Sequence, residues 1–496
     1  MTIVETACGT LSGTRDPKSD VSVFLGVPYA SPPVGMLRWR PPRPARKWAG
    51  VREAIRAGAR CIQHAPYGEL EPDNPSMSED CLYLNVWTPN ASPHAMLPVI
   101  FWLHGGEFWA GSGTEPRYNG AKLAARGAVI VTLNHRLGLF GFLAHPELSE
   151  ESDCGASGNY GLLDQIAALN WVHENIAAFG GNPHCVTIAG ESAGSCAVSA
   201  LMVIPLARGL FHRALGESCA YFMPETHAMK PLSHDESEQR GIAFMRAAGA
   251  KSIIELRSMT GMELLDTWLK DSTKRFQPCI DEKVLPRVDD VFEAGRQAMV
   301  PLLAGWNGEE LGYMRVTKFD SNSFNQNLRR AFGVDTERLL AAYQSDDALQ
   351  SAIALSSDRA MVYPTWKWIE HHHAASAPVF AYQFDRTPPG SPFGAAHACE
   401  IEYVFGTLDS KPREYREEDR VLAERIGDYW VNFARTGDPN SESHPDWPNY
   451  GRDKLILHLD ERIEARPLHS RLRLELLDAI YDARRTALRG AERPSR

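Results

Sequence analysis

The chain has 496 residues, 44% of them hydrophobic and 23% charged, enough apolar material for a large buried core and an ordinary globular balance. The formal net charge of −10 argues against nucleic acid as a partner. No run approaches the roughly 18 apolar residues that a membrane span needs. The opening MTIVETACGTLSG lacks the basic and apolar segments of a signal peptide, so a cytoplasmic protein is expected. Nine scattered cysteines contain no C-x-x-C pair, which excludes the usual redox and zinc frameworks; most read as small buried hydrophobes.

Residues 1–60 read as a β-rich entry in which proline-set loops and the apolar anchors Leu37, Trp39 and Trp48 form a lip around a main sheet. Residues 82–87 alternate as a strand. Cys61 and Cys81 bracket a Pro-, Glu- and Asp-rich loop and are expected either as a disulfide, contributing about 3 kcal/mol by chain entropy, or as two free thiols. Residues 99–103 form a buried strand that runs into His104-Gly105-Gly106-Glu107. A glycine-rich turn there leaves backbone N–H groups uncovered, as an oxyanion hole requires. Residues 129–134 are a third strand, and 162–179 have the apolar spacing of a helix stopped by Gly180-Gly181-Asn182-Pro183.

Residues 186–202, VTIAGESAGSCAVSALM, are the centre of the pattern. A short apolar strand, a G-x-S-x-G turn and a helix-compatible run make a nucleophile elbow, with Ser192 at its tip. Strands alternating with helices imply a mostly parallel sheet covered on both faces. Residues 205–375 read as helical decoration interrupted by a strand at 300–304, and a further strand follows at 379–384. The run His371-His372-His373 has the wrong spacing for one helix face, so a structural or solvated role is expected rather than a metal site. A last helix is expected over 421–440, and a frayed Arg-rich tail over 484–496. Residues 1–483 are expected to form one α/β domain.

A serine hydroxyl needs a base within hydrogen-bond reach and a third group to orient that base. Ser192, Glu310 and His397 occur in the nucleophile, acid, histidine order of α/β-hydrolases, each in a loop after a predicted strand. Spacing alone leaves His397 one among 17 histidines.

The motifs GESAG and EDCLYLNVW, with GVPYA, NHRLGxxGFL, GNYGLLDQ, AFGGNP and YWVNFARTGDPN, resemble those of the type-B carboxylesterases, the cholinesterase-like branch of the α/β-hydrolase fold. The chain looks most similar to bacterial para-nitrobenzyl-esterase-like members, over residues 5–460. The resemblance implies an α/β-hydrolase fold and a serine carboxylic-ester hydrolase with Ser192 as nucleophile, Glu310 as acid and His397 as base. It also implies the backbone N–H groups of Gly106, Glu107 and Ala193 as oxyanion donors, Ser218 as support for the acid and histidine, and no cofactor or metal. GWNGEELGY departs from the family's usual Asp-Glu-Gly, which leaves Glu309 as a rival to Glu310, with register favouring Glu310. Glu107 replaces a residue that is commonly Gly or Ala; its carboxylate is expected to turn toward a basic partner or solvent.

Phe108, Trp109, Tyr221, Phe222, Phe393 and Phe405 flank the motifs and suggest a pocket for small to medium, largely apolar esters. The expected partner is a small-molecule ester, with no membrane and a monomeric or weakly homo-oligomeric chain. An amidase or carbamate hydrolase with the same triad, or a binding domain that has lost catalysis, are the alternatives.

Overall fold

The computed structural model describes residues 1–64, 76–224, 227–270 and 275–491. Its strands are β1 (Thr2–Thr6), β2 (Gly9–Arg15), β3 (Ser22–Pro28), β4 (Val51–Glu53), β5 (Tyr83–Thr88), β6 (Leu97–Leu103), β7 (Val129–Leu133) and β8 (Gly181–Glu191). They continue as β9 (Arg213–Glu217), β10 (Leu232–Ser233), β11 (Cys279–Ile280), β12 (Leu302–Asn307), β13 (Val379–Phe384), β14 (Leu455–Leu459) and β15 (Glu464–Pro467). One 13-stranded sheet runs β1-β2-β3-β5-β7-β6-β8-β9-β12-β13-β14-β15, with β4 beside β2; β10 and β11 form a separate parallel pair.

From β7 to β14 every neighbouring pair in the sheet is parallel, and from β1 to β5 and at β15 the pairing is antiparallel. The mostly parallel sheet is thus its centre. The N-terminal segment differs from the expected lip: β1–β3 are integral strands of one edge, since Ser22 to Phe24 and Val27–Pro28 pair with β5 through backbone bonds that a peripheral loop could not make.

Burial on both faces explains the unbroken apolar runs. Along β6, Val99, Phe101 and Leu103 enter one core cluster while Ile100 and Trp102 enter another. The expected helix at 162–179 is an α-helix over Tyr160–Asn175 and a 3-10 turn over Ile176–Phe179, closed by Gly180 at φ 80°. In the helical region, 251–270 is two helices, Ile253–Ser258 and Gly261–Leu269, because Thr260 caps the second in a reciprocal box with Glu263. His372 is buried on the helix Tyr363–Ala374, its Nε2 2.8 Å from the Val300 carbonyl, while His371 stacks on Phe222.

The helix Glu417–Thr436 ends at Gly437, in the left-handed region. A further helix, Arg471–Ala491, replaces the tail expected to fray from 484. Leu474, Leu477, Ile480 and Tyr481 bury one of its faces, and the Arg484 guanidinium donates to the Ala331 carbonyl at 2.6 Å. Residues 492–496 lie outside the described residues. Cys61 and Cys81 are buried free thiols, although most of the loop that they bracket lies outside the described residues. Among the described residues no helix is long and apolar enough to cross a membrane.

The elbow sits at the C-terminal end of β8, where Ser192 (φ 57°) precedes the helix Ala193–Leu201. A positive φ on a residue with a side chain is strained and persists only where its surroundings enforce it. They do so here by close approach. A Cβ on Gly194 would lie 2.0 Å from the Leu103 carbonyl oxygen, and one on Gly190 2.6 Å from the Gly194 carbonyl carbon. The Ser192 N–H donates to the Glu217 carbonyl at 2.8 Å, tying the tip to β9. Gly194→Ala is therefore expected to lower the unfolding free energy by about 3 kcal/mol, read from chemical denaturation; an unchanged midpoint would show that the turn relaxes freely.

Candidate active site

Three loops at the C-terminal ends of the parallel strands meet at Ser192, as open α/β sheets arrange their sites. β8 carries Ser192, β6 leads into Gly105 to Phe108, and β12 leads into Glu309–Glu310. His397 comes from the loop that follows β13. The acid and histidine loops are joined by backbone bonds: Glu309 N–H donates to the Ala395 carbonyl and His397 N–H to the Glu310 carbonyl, both at 3.0 Å.

The rivalry between the two glutamates is resolved by geometry. Glu310 is fully buried and its Oε2 lies 2.6 Å from His397 Nδ1. Its Oε1 accepts from Ser218 Oγ at 2.5 Å and from the Asn307 N–H at 2.8 Å. Glu309 turns away, accepting from Arg315 Nη1 at 2.8 Å. Ser218 thus contacts Glu310.

His397 Nε2 faces a residue not singled out from the sequence. Glu191, the first x of G-x-S-x-G, is 2% exposed, and its Oε1 lies 3.1 Å from Nε2. A Cβ on Gly105 would be 2.6 Å from Glu191 Oε2 and 3.3 Å from Ser192 Cβ, so the two side chains converge on the same glycine. The Ser192 side chain makes no capping bond to the helix that it precedes. The available signal was the identity of the motif's variable position, a carboxylate adjacent in sequence to the serine.

Four buried carboxylates therefore surround the histidine region: Glu191, Glu217, Glu310 and Glu400. Burial works against protonating His397, but Glu191 and then Glu310 outweigh it and push its pKa up to about 10. Burial raises Glu191, with His397 and Arg117 opposing, so the Glu191–His397 contact holds a proton tightly. Burial, Glu191 and Glu310 push Glu400 up to about 8; burial and Glu400 keep Glu217 well above the carboxylate range, as a donor-capable neutral acid.

The loop after β6 has three successive left-handed residues: Gly106 (φ 108°), Glu107 (φ 55°) and Phe108 (φ 63°). Gly106 is required, since a Cβ there would lie 2.2 Å from the Ala110 carbonyl oxygen. As the first residue of its helix, Ala193 has an N–H outside the intrahelical ladder. The Glu107 carboxylate pairs with the Arg275 guanidinium.

Of the aromatic set, Phe108 and Tyr221 stack beside this loop with ring centroids 5.9 Å apart, and half-buried Trp109 lies 6.1 Å from Trp268. Phe393 is partly exposed on the histidine loop. Phe108, Tyr221 and Phe222 are all buried in one core cluster, and Phe405 belongs to another. Phe405 packs on Trp102 and Tyr118 in the cluster on the other face of the sheet, and Phe222 is 1% exposed between Phe292 and His371. Proximity to a motif in sequence did not report which face each ring would join.

The model of the carboxylesterase family matches residues 1–475. The para-nitrobenzyl esterase of Bacillus subtilis (strain 168) is 37% identical over 491 residues, covering 94% of this chain and 96% of its own. The fumonisin B1 esterase of Sphingopyxis macrogoltabida is 36% identical over 483 residues, covering 92% and 86%. A solved carboxylesterase of Geobacillus stearothermophilus superimposes with a TM-score of 0.85 at 32% identity, covering 97% of this chain and 100% of its own. The chain therefore belongs to the carboxylesterase family, as a serine carboxylic-ester hydrolase on the α/β-hydrolase fold.

Proposed function

We propose that Ser192 is the nucleophile, His397 the general base and Glu310 the acid that orients it, acting on small to medium, largely apolar esters. The observation that carries this reading is the Glu310–His397 contact of 2.6 Å, formed across loops 87 residues apart, with His397 Nε2 3.1 Å from Glu191, the residue before Ser192. Ser192 Oγ attacks the ester carbonyl as His397 Nε2 takes its proton; such hydrogen bonds tighten in the reacting complex. The N–H groups of Gly106, Glu107 and Ala193 receive the oxyanion, each worth on the order of 3 kcal/mol in comparable sites. His397 then protonates the leaving alcohol, and water activated by the same imidazole clears the acyl-enzyme. Glu310 holds the Nδ1–H tautomer and stabilises the imidazolium. Ser218 and the Asn307 N–H occupy the other Glu310 oxygen, which fixes its orientation.

The stacked Phe108 and Tyr221 beside the oxyanion loop favour apolar acyl or alcohol groups. Nine free cysteines fit a reducing, cytoplasmic setting.

Ser192→Ala is expected to lower kcat on p-nitrophenyl acyl esters by at least about 10³-fold and to abolish covalent labelling by an organophosphate, with the fold retained by circular dichroism. Labelling elsewhere with turnover intact would reassign the nucleophile. Glu310→Gln is expected to lower kcat far more than Glu309→Gln in the same assay; the reverse order would move the acid role to Glu309.

The base must be unprotonated, so kcat/KM is expected to rise with pH through the His397 pKa, on the alkaline side of the ordinary imidazole value of about 6.5. Glu191 stabilises the imidazolium, so removing its charge lowers that pKa. Glu191→Gln is expected to move the acidic limb toward lower pH by at least about one unit. A limb that stays in place would show that Glu191 does not face the titrating imidazole.

A further inference from the structure

The oxyanion loop of this chain contains a carboxylate where an anion has to be stabilised, and one cation answers it. Glu107 supplies a backbone N–H to the proposed oxyanion hole while its own side chain carries a charge of the wrong sign for that work. The Arg275 guanidinium, which comes from the segment before β11, pairs with that carboxylate. It also lies 5.2 Å from the centre of the Trp109 ring, two residues along the same loop. Trp109 leans on Trp268, and Trp268 meets Phe276, the neighbour of Arg275 in the chain, at 5.9 Å. Trp268 also closes against Gly138, where a Cβ would lie 2.3 Å from the indole. The N–H of that glycine donates to the Phe108 carbonyl at 2.7 Å. Arg275 is thus seated on the loop by a ring contact as well as by charge, in a closed circuit of side chains.

We propose that Arg275 is a positioning residue for ester hydrolysis: it neutralises and turns aside the Glu107 carboxylate, so that the Glu107 N–H can serve a developing oxyanion without an opposing charge beside it. The inference rests on the oxyanion role proposed above for this loop. Both partners are partly exposed, with side chains 36% and 27% accessible, so the pair itself adds little to stability. Its effect is on where the charge points. Unscreened, a carboxylate near the reacting carbonyl raises the barrier to forming a second negative charge and leaves ground-state ester binding nearly untouched, so the consequence falls on kcat rather than KM. Among the described residues, His227 and Tyr313 also feel the Glu107 charge. Burial lowers the His227 pKa to about 4, so it is neutral at working pH and Arg275 is the cation positioned to answer the carboxylate.

A double-mutant cycle tests this, with kcat and KM measured on a p-nitrophenyl ester for the parent chain, Arg275→Gln, Glu107→Gln and the double variant. Arg275→Gln is expected to lower kcat about tenfold, equivalent to about 1.4 kcal/mol of barrier, with KM changed less than about twofold. In the Glu107→Gln background the same substitution is expected to lower kcat by less than about twofold, because no charge remains to be neutralised. Arg275→Lys, which keeps the cation, is expected to stay within about threefold of the parent. Equal losses in both backgrounds would mean that Arg275 acts only by packing, and an unchanged kcat in Arg275→Gln would mean that it does not act on the loop; either overturns the proposal. A parent chain with no turnover of any ester would instead overturn the functional reading beneath it.

Discussion

The close approach of Gly194 to the carbonyl of Leu103 is the contact on which the rest of the site depends. It locks the end of β6 against the first turn of the helix after β8, leaving no room for even a methyl group. Ser192 cannot relax out of its left-handed conformation while that contact holds, and the segment that follows Leu103 is bound to run past the serine. The elbow and the oxyanion loop are therefore one packed object. Strain in one is balanced by the van der Waals fit of the other.

Around that object the protein gathers buried carboxylates instead of dispersing them. Glu310 is held by Ser218, Asn307 and His397. Glu217 and Glu400 are less well answered. Glu217 accepts from the Trp430 indole at 2.8 Å and Glu400 from Asn307; burial and Glu400 push Glu217 toward the neutral form, and burial, Glu191 and Glu310 do the same to Glu400. Glu191 and then Glu310 make the imidazole basic, against the burial that opposes its charge.

Much of this was legible beforehand because it is local. The elbow is five consecutive residues whose glycines follow from steric need, and the central strands are apolar runs, although sheet pairing lengthens the short elbow strand to Gly181–Glu191 and moves the one expected at 300–304 to Leu302–Asn307. The helix before β8 is in the expected place for the same reason. The failures are non-local. The β1–β3 hairpins alternate as a solvent-facing lip would, and only their pairing with β5 makes them sheet. The Arg-rich stretch from 484 continues a helix begun at Arg471, whose Leu474, Leu477, Ile480 and Tyr481 find a surface to cover. Phe222 and Phe405 lie next to site motifs in sequence but project into the interior, and Phe405 joins the opposite face of the sheet.

Taken alone, the sequence determined the chemistry on offer: a serine on a cramped turn, backbone donors after a glycine-rich strand end, and an acid and a histidine in the right order. These are properties of short segments, where backbone sterics and hydrogen-bonding capacity act over a few residues. Tertiary structure alone decided which glutamate meets the imidazole, that Glu191 faces its other nitrogen, and that Arg275 answers Glu107. Those choices depend on distances between loops far apart in the chain, and electrostatic pairing is decided by distance and burial, neither of which a linear order of residues contains.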